Sequence, residues 1–243
     1  MHTVKTLSTL TLTFILLGFS TLLASEKSAL EIINKALKHT ASLNSYLFKT
    51  NTSEKEALED GTFVTYKYTT NVKVQRPGKL RIDTKGQYLN RTITVNNGLY
   101  TVMRHNDNTY SQMNVPKDID HAIKAILHKY KLKKEPLAAL VYGDVASHVK
   151  LHKGLYIGSE KLDDRHCDHV RFVKSNREVD IWVTQSDTPQ IIAYNIKDTS
   201  EQPFVYTQTK INWDEKVNIE ESDFVFKAPI KSSKVAIVTE DSD

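Results

Sequence analysis

Cysteine is almost absent from this chain of 243 residues, in which Cys167 stands alone. A single cysteine cannot close an internal disulfide, so a disulfide-stapled fold is excluded even in an oxidising compartment. Glycine is scarce too, with 8 residues, and neither a Walker nor a dinucleotide-binding glycine fingerprint occurs. The G-x-S-x-G nucleophile motif is missing as well. No motif therefore indicates an enzyme of these classes or a bound cofactor.

An excess of charge of one sign is also lacking. Lysine and arginine number 33 against 29 aspartates and glutamates, which leaves a formal net charge of +4. An excess this small, spread over a mixed-charge surface, does not favour nucleic acid as a partner.

The N-terminus has the pattern of an export signal. Lys5 precedes an apolar run from Leu7 to Leu23 that is diluted by Ser and Thr, and small residues follow at Ala24-Ser25. We expect cleavage near residue 25 and export from the cytoplasm, with an uncleaved anchor as the alternative. No cysteine lies near this site, so we expect no lipid anchor.

Along the rest of the chain, the spacing of the apolar residues changes twice between helical and strand periodicity. Residues 29–43 have apolar positions at helical spacing, and from Gly61 to about Met113 short runs alternate with period two. Asp118 can cap a helix, Pro136 can start a short one through Leu140, and Val145 to His152 can form a third. Five more strands are predicted between Gly154 and Trp213. Helices do not alternate with strands, so the pattern predicts an α+β fold with one strongly curved antiparallel sheet and helices on its concave side.

The most informative motif is His166-Cys167-Asp168-His169, which lies in a predicted hairpin. A turn at Ser175-Asn176 sets opposite charges and apolar groups across from each other. The predicted pairs are Cys167 with Thr184, His169 with Trp182, Val170 with Ile181, Arg171 with Asp180, Phe172 with Val179 and Val173 with Glu178. This register places Cys167, His169, Arg171, Asp180 and Trp182 on one face.

Two chemistries compete with a structural interpretation of that face. Cys167, His169 and Asp180 are candidate metal ligands, but zinc usually has three or four protein ligands, and Arg171 in the same row opposes a cation. A Cys-His nucleophile pair needs an orienting partner and an oxyanion site, which the sequence does not show. The structural interpretation is favoured, and a metal-dependent enzyme is the least favoured function.

Two further groups invite a ligand interpretation. Asp144, His148 and His152 share one helical face, yet the H-E-x-x-H pattern is absent and Asp144 suits a helix cap. Arg76, Lys79 and Arg81 can meet an anionic ligand or pair with Asp83 and other acids, and we favour the pairing.

From Arg76 to Asp83 (R-P-G-K-L-R-I-D) the chain resembles domain-of-unknown-function family 2092 of predicted periplasmic proteins. That family is similar in fold to the LolA/LolB-like lipoprotein carriers. The resemblance spans roughly residues 28–230, and its other motifs are Asn97-Gly98, Asn108-x-Tyr110, Glu135-Pro136-Leu137 with Asp144, Tyr156-x-Gly158, Cys167-Asp168-His169, Asp180-x-Trp182-Val183 and Pro189. It implies a half-open β-barrel with a helical lid and an apolar interior.

These observations predict a signal peptide at 1–25, a single LolA-like periplasmic domain at 26–231 and an acidic flexible tail at 232–243. The expected function is a binding module that holds an acyl chain, a lipid or a lipoprotein lipid moiety between sheet and lid. The lid is expected at Asp118–His152. The candidate cleft residues are Ile123, Ile126, Leu127, Leu140, Val141 and Trp182. An envelope-sensing interaction module with a protein partner is the alternative, and the sequence leaves the oligomeric state open.

Overall fold

The computed structural model describes residues 28–130, 136–144, 154–200 and 204–236. Within them, twelve strands form one open sheet in the order β12-β6-β5-β4-β3-β2-β1-β11-β10-β9-β8-β7. All neighbours pair antiparallel except β12 with β6. The strands are β1 Ser45–Ala57, β2 Phe63–Gln75, β3 Lys79–Gly86, β4 Asn90–Asn96, β5 Leu99–Arg104, β6 Thr109–Asn114, β7 Gly154–Leu162, β8 Arg165–Lys174, β9 Arg177–Thr184, β10 Ile191–Asp198, β11 Val205–Asp214 and β12 Ser233–Lys234.

Two α-helices, α1 (Ala29–Ser42) and α2 (Ile119–Lys129), pack on one face of this sheet. We call it the helix-covered face, and the opposite side the outer face. The Asp118 side chain accepts a hydrogen bond from the His121 backbone N–H and so caps α2, as predicted. Two 3₁₀ helices follow at Pro136–Leu140 and Glu221–Phe224. The predicted fold, a curved antiparallel sheet with helices on its concave face, is confirmed.

The core lies between the helices and the sheet. Ile33 and Leu37 of α1 and Ile119 of α2 are almost fully buried, together with strand residues such as Phe48 and Val72. They belong to one cluster that runs under both helices. No described helix has the length and hydrophobicity required to span a bilayer.

The β8–β9 hairpin has the predicted register at every position. Cys167 lies opposite Thr184, His169 opposite Trp182 and Arg171 opposite Asp180. The positive φ of 49° at Ser175 makes the tight turn that this register requires.

Strand β1 is the main element of the fold that the sequence patterns do not predict. Its 13 residues pair with β2 on one side and β11 on the other, near the middle of the sheet. Tyr46, Phe48, Thr50 and Thr52 alternate as buried residues along it. This period-two pattern was the available signal, but its hydroxyl and charged residues mask it.

The C-terminal segment packs on the outer face. Phe224 is completely buried, Lys73 pairs with Asp223, and Arg81 donates to the Asp223 carbonyl. Ser233 and Lys234, which the sequence interpretation assigned to the tail, pair with β6. The predicted signal peptide (1–25) and residues 237–243 lie outside the described residues.

Candidate functional site

A cavity of about 600 Å³ lies between the helix-covered face of β2–β5 and the segments above it. Its floor contains a row of apolar residues that the strand register brings side by side, namely Val72, Ile82, Ile93 and Val102. The row forms because each strand presents alternate side chains to the same face. The floor is therefore apolar across four adjacent strands.

The roof of the cavity is formed by α2 and residues 136–141. Ile123, Ile126 and Leu127 lie at i, i+3 and i+4 on α2, a spacing that turns all three toward the sheet. Leu137, Ala138 and Val141 complete the roof. A wholly apolar roof over an apolar floor favours a ligand with a hydrocarbon part.

Four of the six cleft residues predicted from the sequence thus line this cavity: Ile123, Ile126, Leu127 and Val141. Leu140 is 2% exposed and packs in the core beside it. The part of the predicted lid at 131–135 and 145–152, including His148 and His152, lies outside the described residues.

Trp182 lies on the outer face instead of in the space under the helices. Asp180 and Trp182 alternate with Val179, Ile181 and Val183, and the latter three face the core. Trp182 lines a separate depression of about 570 Å³ beside Ala193 and Lys210. The prediction that Trp182 lines the cleft is therefore wrong, because the register of the β8–β9 hairpin places this residue on the face of Cys167 and His169.

A polar cluster built around Arg76 fixes the roof to the sheet. The guanidinium donates to the carbonyl oxygens of Leu43, Val141 and Tyr142, and to the Tyr46 hydroxyl. Tyr46 in turn donates to the Leu140 carbonyl at 2.6 Å. Burial raises the pKa of Tyr46 far above its ordinary value, against the opposite effect of Arg76, so the phenol stays protonated.

The other two basic residues of the R-P-G-K-L-R motif also have protein partners. Lys79 pairs with Glu221, and Arg81 forms two hydrogen bonds with Asp83, at 2.6 and 3.0 Å. The structure therefore supports the prediction that these basic residues pair with acidic residues of the protein rather than with an anionic ligand.

One end of the cavity is polar. Tyr66, Tyr68, Tyr88, Glu54 and Arg91 line it near the β3–β4 turn. Tyr66 and Tyr68 face the cavity because residues two apart on β2 point to the same side of the sheet, whereas Tyr88 lies between β3 and β4. Arg91 is not among the predicted site residues, although its spacing of two and four residues from Ile93 and Val95 is the signal that places it on their face.

The cluster around His169 is held by partners within the protein. Its two ring nitrogens lie 2.8 Å from Asp180 and 3.1 Å from Glu160, and the ring stacks on Trp182 at 4.4 Å. Burial disfavours the ionised Asp180, but hydrogen bonds from Arg171 and His169 outweigh it and lower the pKa of Asp180. The arrangement is a partnered charge network on the outer face.

Cys167 is completely buried next to this network. Burial raises the pKa of its thiol, and its Sγ lies 3.4 Å from the Arg165 carbonyl. Because a reactive cysteine needs a stabilised thiolate, this environment is typical of a structural thiol. Among the described residues, no group of three or more His, Cys, Asp and Glu side chains is placed to hold a metal ion.

Comparisons with known proteins identify a matching family and solved structures of similar fold. The family model described as "Predicted periplasmic protein (DUF2092)" matches residues 29–238. No curated protein matches the chain. Among solved structures, an uncharacterized conserved protein from Thermus thermophilus is similar with a TM-score of 0.52 at 9% identity, over 87% of this chain and 100% of that one.

Two further structures resemble the chain more weakly. Mycobacterium tuberculosis lipoprotein LppX has a TM-score of 0.41 at 14% identity, over 79% of this chain and 97% of its own. A LolA superfamily protein from Nitrosomonas europaea has a TM-score of 0.39 at 10% identity, over 83% and 99%. At these sequence identities the similarity concerns the fold alone. The comparison of folds rests on the Thermus structure, which has the TM-score of 0.52.

Proposed function

This chain belongs to the DUF2092 family of predicted periplasmic proteins, and from that premise we propose that it is a binding protein for a hydrophobic ligand. The ligand is an acyl chain, either of a lipid or of the lipid moiety of a lipoprotein. Its place is the cavity between the floor of β2–β5 and the roof of α2 and residues 136–141.

The size and chemistry of this cavity support the proposal. Its volume of about 600 Å³ lies within the range of roughly 300–1,000 Å³ for small-molecule sites. Protein interiors are close-packed, so an apolar space of this size is uncommon in a core that has no ligand to accommodate. Transfer of a hydrocarbon chain from water into it is favourable by about 25 cal/mol per Å² of buried apolar surface.

Native mass spectrometry and lipid extraction of protein purified from the periplasm test this function. We expect a co-purifying lipid or, after delipidation, binding of added acyl ligands. The substitution Val102→Phe, which places a larger side chain in the cavity floor, should reduce the bound amount several-fold. Val173→Phe is the matched control, since Val173 is 51% exposed on the outer face and should leave binding unchanged. Neither co-purified lipid nor lipid binding by the wild-type protein would contradict the proposal.

A second candidate function is an interaction module that reports its ligand to an envelope protein. The observation that favours it is an exposed apolar strip at the β7 edge of the sheet, where Leu155 and Ile157 are 55% and 48% exposed. Among the described residues β7 is the edge strand on this side of the sheet, and an edge strand with apolar side chains can accept a strand from a partner. Site-specific photo-crosslinking from Leu155, with Ile230 as the exposed control position, tests it. Equal crosslinking from both positions would count against this candidate.

A further inference from the structure

Arg91 and Lys67 are the basic residues in the lining of the apolar cavity, as far as the described residues show, and Lys67 is exposed to solvent. Arg91 shares β4 with Ile93 and Val95, and the period of two turns all three toward the roof. Arg91 is partly buried there, and burial of a guanidinium group without a partner is unfavourable.

The described part of the chain gives the Arg91 Nε no such partner. This nitrogen is buried and has no hydrogen-bond acceptor among the described residues. Arg76, Arg81 and Arg171, in contrast, all donate to carbonyl or carboxylate oxygens. The Nε of Arg177 also lacks a hydrogen bond, but it lies 3.5 Å from the Asp198 carboxylate. A buried N–H without an acceptor destabilises the folded protein, and more so in a charged group.

The cross-strand neighbour of Arg91 makes its position still less favourable. Arg91 lies directly opposite Arg104 on β5, and like charges in this arrangement destabilise a sheet. Arg104 has partners of its own in Asp107 and Thr109. Glu54 is the carboxylate of the described lining, and it lies at the same polar end together with the tyrosines. Sheet stability alone therefore does not account for an arginine at position 91.

We propose that Arg91 binds the anionic head group of a single-chain amphiphile whose hydrocarbon part occupies the apolar cavity. The inference rests on the proposed function and specifies its ligand class. A carboxylate or a phosphate monoester at the polar end supplies acceptors for the guanidinium group of Arg91, which lines this end, and the fork of the guanidinium suits both. Tyr66 and Tyr88, whose rings meet edge to face at 5.7 Å, flank the polar end.

The volume of the cavity favours one chain over several. At roughly 30 Å³ for each non-hydrogen atom, the share that a water molecule has in the liquid, about 600 Å³ holds on the order of 20 such atoms. A single acyl chain with its head group has about this size. A lipid with three acyl chains exceeds it several-fold, so its further chains would remain outside.

Titration calorimetry with three twelve-carbon ligands tests the inference on the full mature chain. Dodecanoate and dodecyl phosphate have an anionic head, while dodecanol has the same chain without charge. We expect the wild-type protein to bind both anions at least tenfold more tightly than the alcohol. Arg91→Met should weaken the anions by about 10- to 100-fold, as expected for a charge-assisted hydrogen bond, and should change dodecanol less than twofold. Arg91→Lys should retain part of the preference because it keeps the charge.

A stability measurement separates a ligand role from a structural one. Arg91→Met removes an unpaired N–H and a like-charge pair, so the ligand-free variant should unfold at the same urea concentration as wild type or at a higher one. The inference is overturned if Arg91→Met binds dodecanoate and dodecyl phosphate as wild type does, or if wild type does not distinguish them from dodecanol. If all three ligands fail to bind wild type, the proposed function itself fails. Tighter binding of one anion than the other identifies the head group as carboxylate or phosphate.

Discussion

Removal of the Tyr46 hydroxyl should weaken the attachment of the roof to the sheet without disturbing the apolar core. The Tyr46 side chain is fully buried, and its hydroxyl links two groups, donating to the Leu140 carbonyl at 2.6 Å and accepting from Arg76 at 3.1 Å. Phenylalanine at this position keeps the ring and its contacts with Phe48 and Trp213. The change therefore isolates the two hydrogen bonds.

The magnitude follows from these two bonds. The bond to Leu140 has neutral partners and contributes about 1 kcal/mol, and its loss leaves a buried carbonyl without that donor. The bond from Arg76 is charge-assisted, with about 1.5–3 kcal/mol for such a bond, but the same nitrogen also donates to the Tyr142 carbonyl at 3.0 Å and retains that acceptor. We expect Tyr46→Phe to lower the free energy of unfolding by about 2–3 kcal/mol. For a chain of this size the Tm should fall by roughly 4–12 °C.

Equilibrium unfolding in urea, followed by tryptophan fluorescence and circular dichroism, measures this change. Trp213 reports on the site directly, since its ring lies 5.9 Å from that of Tyr46. The matched control is Tyr88→Phe, because Tyr88 is 67% exposed and its hydroxyl meets Gln87 at the surface. We expect the control to stay within about 0.5 kcal/mol of wild type.

The double variant with Arg76→Met completes the test. If both groups act in one network, the two substitutions should not be additive, and the coupling free energy should be about 0.5–3 kcal/mol. A loss below about 0.5 kcal/mol for Tyr46→Phe would refute the reasoning. Such a result would mean that water or another donor replaces the hydroxyl, and that the cluster does not anchor the roof.

Three further predictions concern the rest of the sheet. Asp180→Asn should lower the free energy of unfolding near neutral pH. Because the pKa of Asp180 is lowered in the folded state, the stabilisation by its carboxylate is present above the ordinary pKa of 3.8 and is lost as the pH falls through the lowered pKa. The urea unfolding curves of variant and wild type should therefore converge in acid. Equal differences at all pH values would contradict this assignment. Phe224→Ala should lower the free energy of unfolding by about 3–5 kcal/mol because the side chain is fully buried, whereas Ile230→Ala, at a position 90% exposed, should have little effect on the same urea curve. Gly154→Ala should lower the Tm, since a Cβ there would lie 2.5 Å from the Phe172 ring, and an unchanged Tm would show that the ring moves aside without cost.

Local sequence chemistry accounts for the elements that were predicted correctly. The β8–β9 register follows from pairs such as Arg171 with Asp180, whose charges specify one alignment, and a slip by one residue would turn every side chain to the other face. The Asp118 cap is equally local, since its acceptor lies three residues from the donor. The Asn97-Gly98 turn has the positive φ values, 48° and 102°, that these residue types tolerate.

Strand β1 shows why other elements escaped prediction. Its pairing with β11 joins Phe48 to Trp213, two residues far apart in the chain. A strand with several Thr, Ser and Lys residues has a weak pattern of its own, and its place between two neighbours supplies the hydrogen bonds that make it a strand. A short stretch of sequence around β1 contains the residues of this strand but not those of β11, with which it pairs, so it does not reveal the pairing.

The apolar lining of α2 could be predicted from helical spacing, since Ile123, Ile126 and Leu127 share one face of any helix formed there. That the facing space is a cavity, and that Arg91 lines its polar end, depends on how the strands and the roof meet. The sequence alone determined the helix faces, the turns and the β8–β9 register, because these depend on neighbours within a few residues or across one turn. Tertiary structure decided the position of Trp182 outside the cavity, the central place of β1 and the exposure of Arg91 to the cavity, because these depend on contacts between residues distant in the chain.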